Sequence, residues 1–323
     1  MRIYRGIASI DDHLRGAVLT VGNFDGVHLG HQRILRTAHA LAKVSSASVV
    51  AMTFEPHPIA VLRPADSPRR LTPWEEKLHQ LERAGADAVI RLDTDWPLLS
   101  LSAEDFVREV LVKRIHPSYI VEGPNFAFGR GRAGDSRTLE ALSAKGGYQV
   151  RVVEPYRLHL SDGRQVTVSS TTVRELLTSG RVDEAAACLG RPYALVGTVI
   201  HGAGAGHTLG FPTINLDVGE QLVPAHGVYA GTAEIAGLRA PAAISIGTRP
   251  TLGGSKLAVE AFVLDESGDW YAERARVEIV THLRDQRKFD GPEALAAQIA
   301  EDVGRVRSIM QGLDRSDARQ QTK

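Results

Sequence analysis

Val21-Gly22-Asn23-Phe24-Asp25-Gly26-Val27-His28-Leu29-Gly30-His31 lies between a short apolar run, Ala17 to Val21, and a segment of helical periodicity, Gln32 to Lys43. The flanks predict a strand and a helix joined by a glycine-rich turn. That order aims backbone N–H groups and a helix N-terminus at one point, which suits phosphate oxygens. His28 and His31, with Gly30 between them, add side-chain donors on the same side of the turn. A nucleoside triphosphate fits such a site.

Outward from this stretch, the first half alternates short apolar runs with helical patterns. Candidate strands cover 17–21, 48–54, 87–93, 117–122 and 148–154. Helix-like segments cover 74–85, 103–115 and 136–145, with Leu and Val recurring at three- and four-residue spacing. The alternation predicts a Rossmann-like α/β domain, a parallel sheet covered by helices on both faces. Ligands in such sheets bind at the carboxyl ends of the strands, where the His28/His31 loop falls. Ser169 to Gly190 reads as helical, and Thr172-Val173-Arg174-Glu175 fits a capping box.

The second half changes character. Runs near 193–201, 213–218, 227–236, 240–247, 257–265 and 274–282 are separated by Gly-containing turns with no helical pattern between them. This is the cadence of a small antiparallel barrel or sandwich. A final helix over Pro292 to Leu313 carries Leu295, Ile299, Val303, Val306 and Met310 on roughly one face. The expected division is 1–186, 187–313 and a disordered polar tail, 314–323, with the boundary near 186–192.

Composition narrows the function. The 323 residues suffice for two ordinary domains. Lys and Arg together number 38, as do Asp and Glu, so nothing points to a nucleic-acid or anionic-membrane partner. No apolar run approaches the roughly 20 residues of a membrane span, and the N-terminus has no secretory pattern. The one cysteine, Cys188, has no internal disulfide partner and sits in a small-residue run that suits helix packing. A cytoplasmic protein is expected.

The chemistry-bearing residues admit competing readings. The two histidines alone suit a zinc pair or a solvated loop, but zinc needs at least a third ligand and no Cys or His cluster offers one. The turn Gly22 to Gly26 favours a phosphate clamp, stabilising charge that grows as pyrophosphate leaves. Ser169-Ser170-Thr171-Thr172-Val173-Arg174 places four hydroxyls and a guanidinium at a helix start, where capping needs only one hydroxyl. The excess suggests a second phosphate-binding element. Thr213 and Asn215 offer hard oxygens, although a Pro-Thr-x-Asn turn is usually structural. Glu260 on a strand is by default a solvated edge charge.

Taken together, GNFDGVHLGH (22–31) and SSTTVR (169–174) resemble the HxGH and SSTxxR elements of the nucleotidylyltransferase superfamily. Thr53 to Pro58 and Asn125 to Asp135 narrow the resemblance to the bacterial bifunctional riboflavin kinase/FMN adenylyltransferases. Gly210-Phe211-Pro212-Thr213-Ile214-Asn215-Leu216, Gly227 to Gly231 and Ser245 to Thr251 agree. The resemblance extends to about residue 310. It implies a nucleotidylyltransferase domain followed by a riboflavin kinase barrel, acting on riboflavin, FMN and ATP with Mg²⁺. His28 and His31 would hold ATP phosphates, with Gly22, Asn23, Phe24, Asp25, Gly26 and Gly30 forming the loop around them. Ser170, Thr171 and Arg174 would contact the triphosphate. Asn125, Phe54, Phe128 and His57 would line the flavin side, His57 either in the pocket or closing a turn. In the barrel, Gly204, Gly206 and Gly210 would approach nucleotide, Thr213 and Asn215 would hold Mg²⁺, and Glu260 would be the general base. A monomer or weak homo-oligomer is expected.

The chain also departs from the family's pattern. His207 stands where an Arg is usual, Pro124 precedes Asn125, and Leu252 replaces a common Phe. These changes leave open an adenylyltransferase with a weakened kinase barrel. A non-catalytic flavin-binding regulator, and an enzyme like the pantetheine-phosphate adenylyltransferases, explain fewer of the motifs.

Overall fold

The computed structural model describes residues 1–202, 210–251 and 254–320. The chain folds into two compact units, Met1–Ser170 and Thr171–Lys323.

The first unit is built on six strands: β1 (Arg2–Arg5), β2 (Val18–Val21), β3 (Val49–Glu55), β4 (Ala88–Asp93), β5 (Tyr119–Glu122) and β8 (Gln149–Val152). Their order is β1-β4-β3-β2-β5-β8, and every pairing is parallel. Two short hairpins flank the sheet, β6 (Ala127–Phe128) with β7 (Gly134–Asp135) and β9 (Arg157–His159) with β10 (Gln165–Thr167). All four residues of β2 are buried, as a central parallel strand with both faces covered requires. Leu19 and Val21 pack with Val50, Met52 and Ile90 on one face. Val18 packs with Ala51 and Val89 on the other, beneath Leu35, Ala38 and Ala42 of α1 (Leu29–Ser45). Strand alternation has divided a continuous apolar run between two cores.

The remaining helices of this unit are α2 (Pro58–Leu62), α3 (Trp74–Arg83), α4 (Trp96–Leu99), α5 (Ala103–Asp105) and α6 (Ser136–Gly146). The helix expected over 103–115 is only partly regular. After α5 the backbone widens into a π-helix over Phe106–Val112, which buries Phe106, Val107, Val110 and Leu111. β1 and the β9/β10 hairpin were not expected from the sequence. Chain order reverses between β2 and β5, so the crevice outside their carboxyl ends is the switch point where ligands bind.

At the division between the units, α7 (Ser170–Thr178) leads into α8 (Val182–Leu189), in place of one helix to Gly190. Gly180, at φ 76°, separates them. α7 starts two residues before the predicted capping box. The compact units divide after Ser170, and both helices pack with the barrel. Ala225 N–H donates to Leu177 O at 3.0 Å, and Thr281 donates to Asp183 at 3.1 Å. Cys188 is fully buried in α8, in the packing role expected of it.

The second unit carries six more strands: β11 (Tyr193–Ile200), β12 (Thr213–Asp217), β13 (Gly227–Ile235), β14 (Leu238–Thr251), β15 (Gly254–Val263) and β16 (Arg274–Arg284). They pair antiparallel and close a barrel in the order β11-β12-β15-β14-β13-β16. Gly231 lies where β13 meets a register shift against β16, and a Cβ there would sit 1.8 Å from Glu278 O. Only glycine allows that approach. The C-terminal helix α9 (Pro292–Gln320) lays Val303, Val306 and Met310 against Val228, Leu264 and Leu283. Its backbone stays helical through 314–320, where a disordered tail was expected. Asp302, 2% exposed, anchors it by accepting Arg284 Nε at 3.0 Å and Nη2 at 2.7 Å.

Candidate active site

The loop after β2 reaches the switch-point crevice, and the sequence folds it by local rules. Phe24 and Val27 adopt φ of 46° and 39°, and Gly26 adopts 83°. These left-handed residues turn the chain so that α1 starts at the mouth of the sheet. Phe24 is 1% exposed and packs edge-on against His31 with ring centroids 5.1 Å apart. Gly22 N–H donates to Met52 O at 3.0 Å. Phe24 and Gly22 therefore shape the loop from within the core.

His28 is the N-cap of α1, its Nδ1 accepting the His31 N–H at 3.4 Å. The two imidazoles stack 3.7 Å apart at 19°. Gly30 makes room for that stack, since a Cβ there would lie 3.0 Å from His28 Cε1 and 3.3 Å from Val168 O. Burial holds the His31 pKa well below its ordinary 6.5, with His28 and then Lys77 pushing the same way. His31 is therefore a neutral imidazole at neutral pH. Its Nδ1 and the Asn23 Oδ1 are buried without a hydrogen-bond partner. The His31 ring nitrogen, when it carries the proton, is a donor beside a helix N-terminus of the kind a phosphate oxygen would satisfy, whereas the Asn23 amide oxygen calls for a donor.

Asp25 faces inward. Its carboxylate accepts Leu71 N–H at 3.0 Å, Thr72 N–H at 3.1 Å and Thr72 Oγ1 at 3.3 Å. Thr72 Oγ1 in turn accepts Gly26 N–H at 2.7 Å. Ser170 Oγ donates to Asp25 O at 2.8 Å, joining the start of α7 to the loop. Thr171 and Arg174 follow Ser170 on α7.

Across the crevice, Asn125 is exposed in the loop after β5. Phe54 and Phe128 belong to one aromatic row through Phe106, at centroid distances of 6.5 Å and 5.6 Å. Phe126 extends it, 5.2 Å from Phe128. His57 caps α2, its Nδ1 accepting Ile59 N–H at 3.1 Å, which is the turn-closing alternative. Three residues near the loop carried no readable signal. Thr72 and Lys77 are separated from it by some fifty residues of chain, and Glu122 follows a plain strand run. Glu122 is 2% exposed and its Oε1 accepts Val21 N–H, while burial raises its pKa well above 4.5.

In the second unit Asn215 pairs directly with Glu260, and Thr213 with Phe262, across β12 and β15. Alternate residues share a face, so Thr213, Asn215 and Glu260 stand together. Thr213 Oγ1 lies 3.5 Å from Glu260 Oε1. Gly202 lies against them: a Cβ there would sit 2.1 Å from Asn215 Nδ2 and would push the Asn215 amide aside. This all-oxygen set of hydroxyl, amide carbonyl and carboxylate matches the hard donors Mg²⁺ prefers. Gly210 is in a left-handed turn at φ 82°. Gly204, Gly206, His207 and Leu252 lie outside the described residues. Among the described residues no group of three His, Cys, Asp or Glu side chains could hold a metal.

The comparisons with known proteins fall on the same two units. The FAD synthetase family model matches residues 10–172, and the riboflavin kinase model matches 189–310. A bifunctional riboflavin kinase/FMN adenylyltransferase of Escherichia coli K12 is 35% identical over 306 residues, covering 94% of this chain and 96% of its own. The chain belongs to the bifunctional riboflavin kinase/FMN adenylyltransferase family. Relatives of the same description include those of Haemophilus influenzae, 34% identical over 94% of this chain and 97% of its own, and Pseudomonas fluorescens, 35% identical over 96% and 98%. A solved Streptococcus pneumoniae chain described as a macrolide-efflux protein matches with a TM-score of 0.83 at 28% identity, covering 95% of this chain and 99% of that one. Among the described residues of this family member, no helix is long and apolar enough to cross a membrane.

Proposed function

We propose that the chain phosphorylates riboflavin to FMN in its second unit and adenylylates FMN to FAD in its first, using ATP for both. The carrying observation is the stacked His28/His31 pair at the start of α1, with His31 Nδ1 buried and without a hydrogen-bond partner. In the first unit an oxygen of the FMN phosphate attacks the α-phosphorus of ATP and pyrophosphate leaves. A phosphate monoester is already anionic, so no strong base is needed. Positioning and charge stabilisation carry the rate. His28 and His31 hold the phosphates, while Asn125, Phe54 and Phe128 orient the flavin nucleotide.

In the second unit Glu260 takes the proton of the ribityl 5′-hydroxyl as that oxygen attacks the γ-phosphorus. Thr213 and Asn215 would hold Mg²⁺, which when bound neutralises ATP phosphate charge. Their register opposite Glu260 supports placing acceptor activation and phosphate binding on one sheet face.

Product chromatography from riboflavin, ATP and Mg²⁺ tests the whole reading, with FMN expected to rise before FAD. His28→Ala should abolish most FAD formation and spare FMN formation, and Glu260→Ala should do the reverse when FMN is supplied. Equal loss of both steps in either variant refutes the two-site assignment. FAD formed from FMN but no FMN from riboflavin would favour the weakened-kinase reading that His207 motivates.

A further inference from the structure

Lys77, near the start of α3, is the charged group beside the loop to which the adenylyl-transfer reading gives no role. It is 7% exposed, with Nζ 5.8 Å from the centroid of Trp74. Asp25, Glu55 and Arg70 are its charged neighbours, and its field reaches His31. Among the described residues Nζ has neither a hydrogen bond nor an ion pair. Both nearby carboxylates are engaged elsewhere, Asp25 by the amides of Leu71 and Thr72, and Glu55 by Arg70 at 2.7 Å. Buried ammonium groups are normally paired, because desolvation is costly without a counter-charge. Burial lowers the Lys77 pKa and Arg70 adds to this, while Asp25 and Glu55 oppose it. A buried ammonium held over an aromatic ring with no hydrogen bond or ion pair among the described residues, whose field reaches His31 of the loop, is a cation an anion there could use.

We propose that Lys77 is a phosphate-binding residue of the first unit, its ammonium receiving the pyrophosphate portion of ATP as it departs. The proposal rests on the adenylyl-transfer reading. In that step an FMN phosphate oxygen bonds to the α-phosphorus. The bond from that phosphorus to the bridging oxygen breaks, and its electron pair leaves on pyrophosphate. Negative charge therefore grows on the leaving group, where a preformed cation stabilises the transition state more than the ground state. With His31 neutral, Lys77 supplies charge that His31 does not.

The test is Lys77→Met in the full chain, which keeps the length of the stem and removes the charge. Inorganic pyrophosphate, titrated calorimetrically, should bind about 10- to 100-fold more weakly. The kcat for FAD formation should fall roughly 100-fold with KM for FMN little changed. The melting temperature should hold or rise, since an unpaired buried charge is gone. Unchanged pyrophosphate affinity and kcat would overturn the proposal, and so would a lowered melting temperature with KM for FMN rising in step. Should the Met variant not fold, Lys77→Gln decides by the same readouts. If the unaltered chain makes no FAD from FMN, the reading of the first unit fails. If it does and Lys77→Met matches it, only the role of Lys77 fails.

Discussion

Replacing Asp25 with Ala should damage the adenylyl-transfer unit through a segment that is distant in sequence. The carboxylate accepts two backbone amides and one hydroxyl from Leu71 and Thr72, residues that are 0% and 5% exposed. Removing it strands both amides in a dry environment, at about 1–3 kcal/mol for each unpaired donor. Water entering the emptied space recovers part of this, leaving a net loss of about 3 kcal/mol. For a unit of this size that lowers the melting temperature by roughly 6–12 °C. The loop also loses its tether through Thr72 to Gly26 N–H. A shift of about 1 Å in a positioning element costs roughly 100-fold in rate. Calorimetry of the variant and FAD formation from FMN, assayed well below melting, measure the two effects. Riboflavin phosphorylation by the same preparation should not change. Asp25→Asn should be nearly as damaging, because its amide N–H₂ would face donors. An Ala variant with unchanged melting and an undiminished FAD rate would refute the clamp.

Gly30→Ala should impair FAD formation more than tenfold while leaving α1 as stable or more so, because Ala is favoured over Gly in a helix by about 1 kcal/mol. Steady-state kinetics with a melting curve would expose a purely structural effect as loss of both. Glu122 has a raised folded pKa, so between about 4.5 and that raised value the folded state binds more protons than the unfolded state. Its contribution is complete below about 4.5 and is lost as pH rises through the folded pKa. Glu122→Gln keeps an acceptor for Val21 N–H and should flatten this part of a melting temperature–pH profile, and an unchanged slope would count against it. His31 has the opposite sign, since the unfolded state binds its proton first on acidification. His31→Gln should therefore reduce the loss of stability as pH falls below about 6.5. Asp302→Ala should destabilise the second unit by about 3–5 kcal/mol, leaving Arg284 without its partner. Denaturant titration followed by riboflavin phosphorylation measures that loss.

The parallel sense of the first sheet and the six barrel strands were readable because their strands are apolar runs, alternating with helical patterns in the first half and separated by glycine-containing turns in the second. Arg2-Ile3-Tyr4-Arg5 was not, since an edge strand needs no apolar alternation and its partner β4 lies more than eighty residues away. The break between α7 and α8 was signalled by Gly180, which a continuous helical periodicity masked. The histidine pair was legible because spacing and glycines are local properties. Asn215 opposite Glu260 required the strand register, which follows from barrel closure rather than from either motif. Lys77 sits in an amphipathic helix where its spacing matches an ordinary solvated position.

What spacing conceals most is the sign of the field at the loop. Asp25 beside a phosphate site looks self-defeating, since a free carboxylate would repel the anion the glycines and helix terminus attract. The structure resolves this by directing Asp25 onto the amides of Leu71 and Thr72, and by pairing Glu55 with Arg70 at 2.7 Å. Each carboxylate's charge is answered locally, so neither cancels the N-terminal dipole of α1. His31, held neutral by burial, His28 and Lys77, adds no charge of its own. Lys77 is then a cation of this cluster with no hydrogen bond or ion pair among the described residues, held over the Trp74 ring. Its positive charge and the helix terminus act in the same direction. An anion entering there meets donors already oriented and carboxylates already occupied, which is how a loop rich in acidic and apolar neighbours can still bind phosphate.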